Sequence, residues 1–281
     1  MTNTCVPLPG GRVLRFDARP LVMGVLNVTP DSFSDGGRHD DPSRGISHGL
    51  LLAQEGADIL DIGGESTRPG YTPVSADDEI ARVEPAIRAL AAQVAIPMSI
   101  DTMKAKVAAR ALAAGASIVN DVWGFQRDPD MARVVAEHGA AAVVMHHRER
   151  EDASLDIVED VRVFLLRSME IAQAARISLD RLIVDPGIGF GKTPEQNMRL
   201  VREIGAIAAL GCPVLIGASR KRIIGSVTGR ADVRDRLAGT LALHTLGAFQ
   251  GAHIIRAHDV ARHVDAMKMV AAFKSQERIG A

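Results

Sequence analysis

Polar residues recur in this chain just after short apolar runs: Asn27, residues 61–65, Asp101, Asn120 with Asp121, His146, Asp185, residues 219–221, and Arg256 with His258. Carboxylates and amides at 101, 120 and 185 offer acceptors to an N–H-rich edge such as the amidine face of a heterocycle, and an Asn can also donate to a neighbouring carbonyl. Cations stand elsewhere, at Arg68, Lys221 and Arg256, with His258 beside the last. That division predicts a small heterocyclic substrate carrying an anionic, phosphorylated group. Taken singly, each residue has a plain explanation. Asp101 and Asp121 could cap helices, Lys221 and Arg222 could be solvated loop charges, and His146 or His147 a satisfied rim histidine. Eight such coincidences at the ends of apolar runs point to one site.

The elements that must gather these residues follow one pattern, repeated eight times. Strand candidates begin near Leu21, Asp58, Pro97, Ser117, Ala141, Leu182, Val214 and His253, each nearly continuously apolar, as parallel strands covered by helices are. Helical periodicity follows at 43–55, 77–93, 104–114, 129–138, 156–175, 194–210, 233–250 and 260–274. Asp41-Pro42, Asp128-Pro129 and Thr193-Pro194 read as an N-cap before a proline at the first helical position, and Thr193 with Gln196 as a capping box. Gly56, Gly115, Gly139, Gly211 and Gly251 stop helices one or two residues before the next strand. Eight alternating units predict a closed (β/α)8 TIM barrel over 21–281, in which all strand ends converge on one mouth; an open doubly wound sheet is the rival. Residues 1–20 form an N-terminal extension able to make a hairpin at the barrel bottom.

Composition and failed motifs narrow the function. The chain has 281 residues, 47% hydrophobic, with 33 Lys and Arg against 34 Asp and Glu, a formal charge of −1 that argues against a nucleic-acid or anionic-membrane partner. Cys5 and Cys212 are too few for a disulfide framework, no basic patch with an apolar run opens the chain, and Gly211 and Pro213 split the apolar stretch at 204–218; a cytoplasmic protein is expected. The run DPGIGFGK at 185–192 has Lys192 where a dinucleotide fingerprint needs glycine and Pro186 where a phosphate loop needs glycine. His146-His147 lacks zinc spacing, so a metal would be carried mainly by substrate oxygens. A Schiff-base lysine at Lys192 or Lys221 is disfavoured, because both are expected in polar loops.

With these segments in view, the chain resembles the dihydropteroate synthases, pterin-binding barrel enzymes, over nearly its whole length. The matching segments are MGVLNVTPDSFSDGG at 23–37, GGESTRPG at 63–70, SIDT at 99–102, VNDVWG at 119–124, DPGIGFGK at 185–192, GASRKR at 217–222 and RAHDV at 256–260. The resemblance implies condensation of 6-hydroxymethyl-7,8-dihydropterin diphosphate with p-aminobenzoate, releasing diphosphate, in folate biosynthesis. It implies that Asp101, Asn120, Asp185 and Lys221 hold the pterin. Asn27 would help seat a Mg2+ on the diphosphate, with Arg68, Arg256 and His258 on its oxygens. Phe33, Thr67, Pro69, Phe190, Ser219 and Lys221 would line the p-aminobenzoate pocket. Asp35 and Asp101 are the candidates for stabilising a pterin-methylene cation, and Asp35, Asp101, Arg68, Lys221, Arg256 and His258 make up the catalytic set.

Glycines at 36, 37, 63, 64 and 70 would let the first two loops fold over the pterin and exclude water. No insertion follows Gly189-Phe190, from which sulfonamide sensitivity is expected; His147 departs from the Met or Asn common in the family. The stretch 233–250 is apolar around most of its circumference through Leu241, Leu243, Leu246 and Phe249, which suggests a subunit contact, and the resemblance implies a homodimer. Two rivals remain. A methyltetrahydrofolate:corrinoid methyltransferase should lack the Thr67-Arg68-Pro69 and Ser219-Arg220-Lys221 stretches. A non-catalytic pterin-binding paralogue should have lost Asn27, Asp35, Arg68 or His258.

Overall fold

The computed structural model describes residues 5–29, 42–65 and 73–277. In chain order the elements are β1 (Cys5–Pro7), β2 (Val13–Arg15), β3 (Leu21–Asn27), α1 (Pro42–Gln54), β4 (Ile59–Gly63), α2 (Ala76–Ala91), β5 (Met98–Asp101), α3 (Ala105–Ala114), β6 (Ile118–Asp121) and α4 (Met131–Glu137). There follow β7 (Ala141–Met145), α5 (Ile157–Ala174), β8 (Leu182–Asp185), α6 (Pro194–Arg202), α7 (Ile204–Ala208), β9 (Leu215–Ile216), α8 (Arg222–Thr228), α9 (Leu237–Phe249), β10 (Ile254–Ala257) and α10 (Val260–Glu277). Strands β3 to β8 pair in sequence order, β10 joins β3, and β9 joins β10, all in parallel. A parallel bridge between Val184 and Val214 brings β8 back to β9, so the sheet is a nearly closed (β/α)8 barrel rather than an open one.

The two-residue side-chain period of a strand sorts the barrel's two faces. Val22, Leu26, Leu60, Ile62, Ile100, Val119, Val144 and Val184 face outward into one apolar layer under the helices. Their alternates Met23, Ile59, Ile118, Val143, Ile183, Leu215 and Ile254 form a separate interior cluster, into which Val6, Leu8 and Leu14 pack from the antiparallel β1–β2 ladder. That ladder therefore plugs the end of the barrel where the strands begin. Two residues further along several strands stand Asp61, Asn120, Asp185 and Arg256. The interior thus changes from apolar to ionic along its axis.

Helix ends explain several boundaries. Thr193 and Gln196 form the expected capping box, and all five helix-stopping glycines have positive φ, from 59° at Gly139 to 124° at Gly115. Three expectations shift. The fourth helix starts at Met131 and not at Pro129, because residues 128–131 first make a tighter turn in which the Met131 N–H donates to the Asp128 carbonyl at 3.1 Å; Asp128 Oδ1 still accepts the Asp130 N–H, and its Oδ2 accepts the Ala105 N–H at the start of α3. The stretch 194–210 breaks at Glu203 into α6 and α7. Helix α8 lies where only loop was expected; at seven residues it is too short to show a period, and its signal was Gly229, which ends it at φ 71°.

Candidate active site

The barrel mouth is built around Arg256. Its Nε donates to Asp61 Oδ2 and its Nη2 to Asp101 Oδ2, both at 2.6 Å. Asn120 Nδ2 donates to the same Asp61 oxygen at 3.1 Å. These residues come from β4, β5, β6 and β10, and the register Gly63↔Asp101↔Asn120 sets the carboxylate and amide side by side. The segregation of anions from cations expected from sequence is therefore not the arrangement found: Arg256 sits among the acids. The reason is electrostatic, since Asp61 is fully buried and a buried carboxylate without a partner costs several kcal/mol, roughly 3–5. Among the described residues Asp61 Oδ1 and Asp101 Oδ1 have no hydrogen-bond partner and are left as acceptors in the site.

Across the mouth, Asp185 ends β8 and its Oδ1 accepts the Gly187 N–H at 2.7 Å. The following loop is bolted from inside. Lys192, only 3% exposed, donates to the carbonyls of Gly187 at 2.8 Å and Phe190 at 3.0 Å. Asn197 Oδ1 accepts the Gly189 N–H at 2.6 Å. Gly187 must be glycine here, because a Cβ would lie 1.9 Å from the His146 carbonyl oxygen. Lys221 donates to the Ile188 carbonyl and lies 4.3 Å over the Phe190 ring. Ser219 Oγ accepts the His258 N–H at 3.2 Å and lies 2.9 Å from His258 Nδ1. Asn27 ends β3 beside Gly63. The site residues on described elements, Asn27, Asp101, Asn120, Asp185, Phe190, Ser219, Lys221, Arg256 and His258, thus all stand on strand ends or on the loops that follow them; Phe33, Asp35, Thr67, Arg68 and Pro69 lie outside the described residues.

Burial tunes the charges. Desolvation pushes Asp101 up to about 7 against the pull of Arg256, with Asp61, Glu79 and Lys221 the other charges acting on it. Burial lowers Lys221 to about 8, opposed by Asp185 and Asp101. Burial also lowers Lys192 to about 7, so the expectation of a lysine in a polar, wet loop is wrong for this residue. Its ammonium is committed to two loop carbonyls, which argues against a Schiff base. On the expectation that the carboxylate form of Asp101 accepts from an N–H-rich ligand edge, affinity for such a ligand should rise with pH through about 7 and then level. Asp61→Asn removes a neighbouring negative charge and should move that rise to lower pH. Titration calorimetry with 6-hydroxymethylpterin, the ligand class that the sequence resemblance implies, from about pH 5 to about pH 9 reads both shifts, and a flat profile would remove Asp101 as the acceptor. The same raised value means that Asp101's contribution to stability, complete below its unfolded pKa, is lost as pH climbs towards about 7.

Of two expectations about single residues, that for Asp121 resolves in the plain direction and that for His146 only in part, because His146 Nδ1 is buried with no hydrogen-bond partner among the described residues. Asp121 accepts the Trp123 and Phe125 N–H groups at 2.9 and 2.7 Å, as a cap would. His146 is buried, with Nε2 3.1 Å from Asp160 Oδ2, and desolvation holds its pKa far below the usual value.

Comparison with known proteins bears on this mouth. The family description "Pterin binding enzyme" matches residues 23–258. Dihydropteroate synthase of Clostridium beijerinckii is 43% identical over 261 residues, covering 92% of this chain and 96% of that protein. The Mycobacterium leprae enzyme of the same name is 46% identical, covering 90% and 93%. The chain belongs to the dihydropteroate synthase family. Among solved structures, Xanthomonas albilineans dihydropteroate synthase with 4-aminobenzoic acid superposes with a TM-score of 0.92 at 46% identity, over 97% of this chain and 99% of that one. The same enzyme in complex with 7,8-dihydropteroate gives 0.89 at 44% identity, over 96% and 98%.

Within this synthase-family mouth, three groups escaped the sequence reading. Asp61 was noted only as part of a strand end, yet it anchors both Arg256 and Asn120. Lys104 donates to Glu65 at 2.7 Å and to Glu79 at 2.6 Å, while Glu65 accepts the Val74 N–H at 2.9 Å. This buried ionic knot ties residue 65 to residue 74 across the second loop. Nothing local marks it, because its members come from three elements. Trp123 stacks on His147 with ring centroids 4.0 Å apart, and His147 lies 5.4 Å from Phe190, so the position that departs from the family pattern joins an aromatic rim.

Proposed function

We propose that this mouth condenses 6-hydroxymethyl-7,8-dihydropterin diphosphate with p-aminobenzoate to give 7,8-dihydropteroate and diphosphate. The observation that carries the reading is the convergence of Asp101, Asn120 and Asp185 with Arg256 and Lys221 on one barrel end, in a chain whose relatives bear that enzyme name. Asp101, Asn120 and Asp185 orient the pterin by its N–H edge with Lys221 beside them, and Lys221 and the aromatic ring of Phe190 bound the arylamine side. As the C–O bond breaks, electrons leave with diphosphate and positive charge develops on the pterin methylene. Asp101, and Asp35 from the first loop, stabilise that charge, while Arg68, Arg256 and His258 receive the anion. The neutral arylamine nitrogen then attacks the methylene and loses its proton to solvent or to the released diphosphate, so no strong general base is needed. Thr67, Pro69, Phe33 and Ser219 complete the p-aminobenzoate pocket.

Among the described residues no group of three or more His, Cys, Asp or Glu could hold a metal ion on its own. Asn27 fits a different arrangement, a single hard amide oxygen at a strand end, which suits a Mg2+ brought in by diphosphate oxygens. When bound, the ion would neutralise charge on the leaving group. The test is turnover: purified protein with Mg2+ should release diphosphate only when p-aminobenzoate is present, and a sulfonamide should compete with the arylamine. Full pterin affinity without turnover would instead make the chain a binding paralogue.

Two coarser features join this reading. Leu246 and Phe249 of α9 and Met269 and Phe273 of α10 are exposed, with the two phenylalanine rings 5.7 Å apart, while Leu243 faces the core. This face supports a homodimer, which sedimentation velocity would report as twice the chain mass. Both cysteines are free, which supports a reducing, cytoplasmic setting; among the described residues no helix is long and apolar enough to cross a membrane.

A further inference from the structure

Among the described residues three that are not glycine have positive φ: Phe125 at 67°, Arg176 at 66° and Arg220 at 58°. A left-handed backbone is unfavourable for a residue with a Cβ, and it persists only where surrounding contacts enforce it. Two of the three have ordinary local causes. Arg176 follows the end of α5, where its N–H donates to Gln173 and the Ile177 N–H to Ala172, a helix ending that favours this conformation. Phe125 closes the turn capped by Asp121. Arg220 ends no helix and stands between Ser219 and Lys221.

The contacts that hold it come from the start of α9 and from the residue that precedes α10. Its N–H donates to Thr240 Oγ1 of α9 at 3.1 Å, and the buried Thr240 hydroxyl donates in turn to the Arg236 carbonyl at 2.8 Å. Arg236 Nη1 donates to the Arg220 carbonyl at 3.1 Å. The Arg220 guanidinium grips Asp259, just past β10, in a fork: Nε to Oδ2 at 3.0 Å and Nη2 to Oδ1 at 2.6 Å. Asp259 is itself tied from behind. The Ala218 N–H donates to His244 Nε2 at 2.8 Å, which places the His244 proton on Nδ1, facing His263 Nε2 at 3.0 Å. That leaves the His263 proton on Nδ1, facing the Asp259 carbonyl at 2.7 Å. Burial keeps both rings below their usual pKa, so the chain of donors and acceptors is complete with both neutral.

The consequence lies in the two neighbours. Ser219 is turned to His258, and Lys221 is sent the other way, over Phe190 to the Ile188 carbonyl. We infer that Arg220 is a positioning residue: its left-handed backbone, clamped by Thr240, Arg236 and Asp259, divides Ser219 from Lys221 and aims each at its side of the mouth. This rests on the reading of Ser219 and Lys221 given under Proposed function. A right-handed or extended backbone at 220 would rotate one of the two away from its present partner.

The inference separates backbone from side chain, and so does its test. Steady-state kcat and KM for p-aminobenzoate, at saturating pterin diphosphate and normalised to folded protein, are compared for Arg220→Ala, Arg220→Gly, Arg220→Asn and Thr240→Val. All three replacements at 220 lose the ion pair with Asp259, but Gly and Asn accept the left-handed conformation and Ala does not. Arg220→Ala is expected to lose about 100-fold in kcat/KM, mostly through a higher KM for the arylamine, and Arg220→Gly and Arg220→Asn less than about tenfold. Thr240→Val, which keeps Arg220 and removes the acceptor for its N–H, should raise the same KM. Equal losses for Ala, Gly and Asn, or wild-type kinetics for Ala, would overturn the inference. If Arg220→Ala does not fold, an unchanged KM in Thr240→Val overturns it instead. Lys221→Met is measured alongside: wild-type turnover there would sink the site reading itself, whereas loss there with wild-type Arg220→Ala sinks only the positioning role.

Discussion

Replacing Arg256 by methionine is expected to destabilise the protein by about 3–5 kcal/mol and to abolish turnover. The size follows from what the guanidinium leaves behind. Asp61 and Asp101 are both buried, each has one oxygen on Arg256 at 2.6 Å, and each has its other oxygen without a partner among the described residues. Methionine fills much of the volume and supplies no charge, so two carboxylates face each other inside the barrel and at least one takes up a proton. Chemical denaturation should show the loss. The double variant Asp61→Asn with Arg256→Met removes one stranded carboxylate and should recover part of the stability but none of the turnover. A single variant as stable as the wild type would mean that water reaches these groups and that the ion pairs contribute little. In the proposed reaction Arg256, though paired with the two acids, also receives the diphosphate, so the variant should lose more affinity for the diphosphate-bearing pterin than for the bare alcohol. Equal losses would place Arg256 on the ring alone.

Asp185→Ala is expected to remove binding of 6-hydroxymethylpterin, by a factor of about 100 or more, while the barrel stays folded. Each charge-assisted hydrogen bond to a buried carboxylate contributes roughly 1.5–3 kcal/mol, so losing a two-point contact is enough for that factor. The variant also frees the Gly187 N–H, which now has Asp185 Oδ1 at 2.7 Å. The Lys192 and Asn197 bonds to the same loop remain, and they are the reason the loop should keep its course. Asp185→Asn keeps the acceptor for Gly187 but puts a donor or a neutral oxygen where the pterin N–H edge needs an anion, and should fall between the two. Titration calorimetry settles the order; pterin affinity within a few-fold of wild type in the Ala variant would take Asp185 out of the site.

The architecture was readable because its signals are local. Apolar runs of strand length, glycines at helix ends and the Thr193–Gln196 capping box each act over a few residues, and their repetition implied a barrel before any contact was known. The position of the polar residues at strand ends followed from the same pattern, since a barrel brings all its strand ends to one mouth. What stayed hidden involves pairing across the barrel. Asp61 and Arg256 are 195 residues apart in the chain, and only the parallel register places them in one interior layer. Short pieces were equally opaque: α8 has two turns, and Asp128, an apparent cap for its own helix, also serves the start of α3.

By itself the sequence determined the order of strands and helices, the end of the barrel that carries chemistry, and the types of group available there, because periodicity and capping are properties of neighbouring residues. Tertiary structure alone decided how those groups divide their charge. Arg256 goes to the acids and Lys192 to loop carbonyls because a buried charge must be met by whatever partner the fold places within hydrogen-bond reach, and that distance is written in no single stretch of chain.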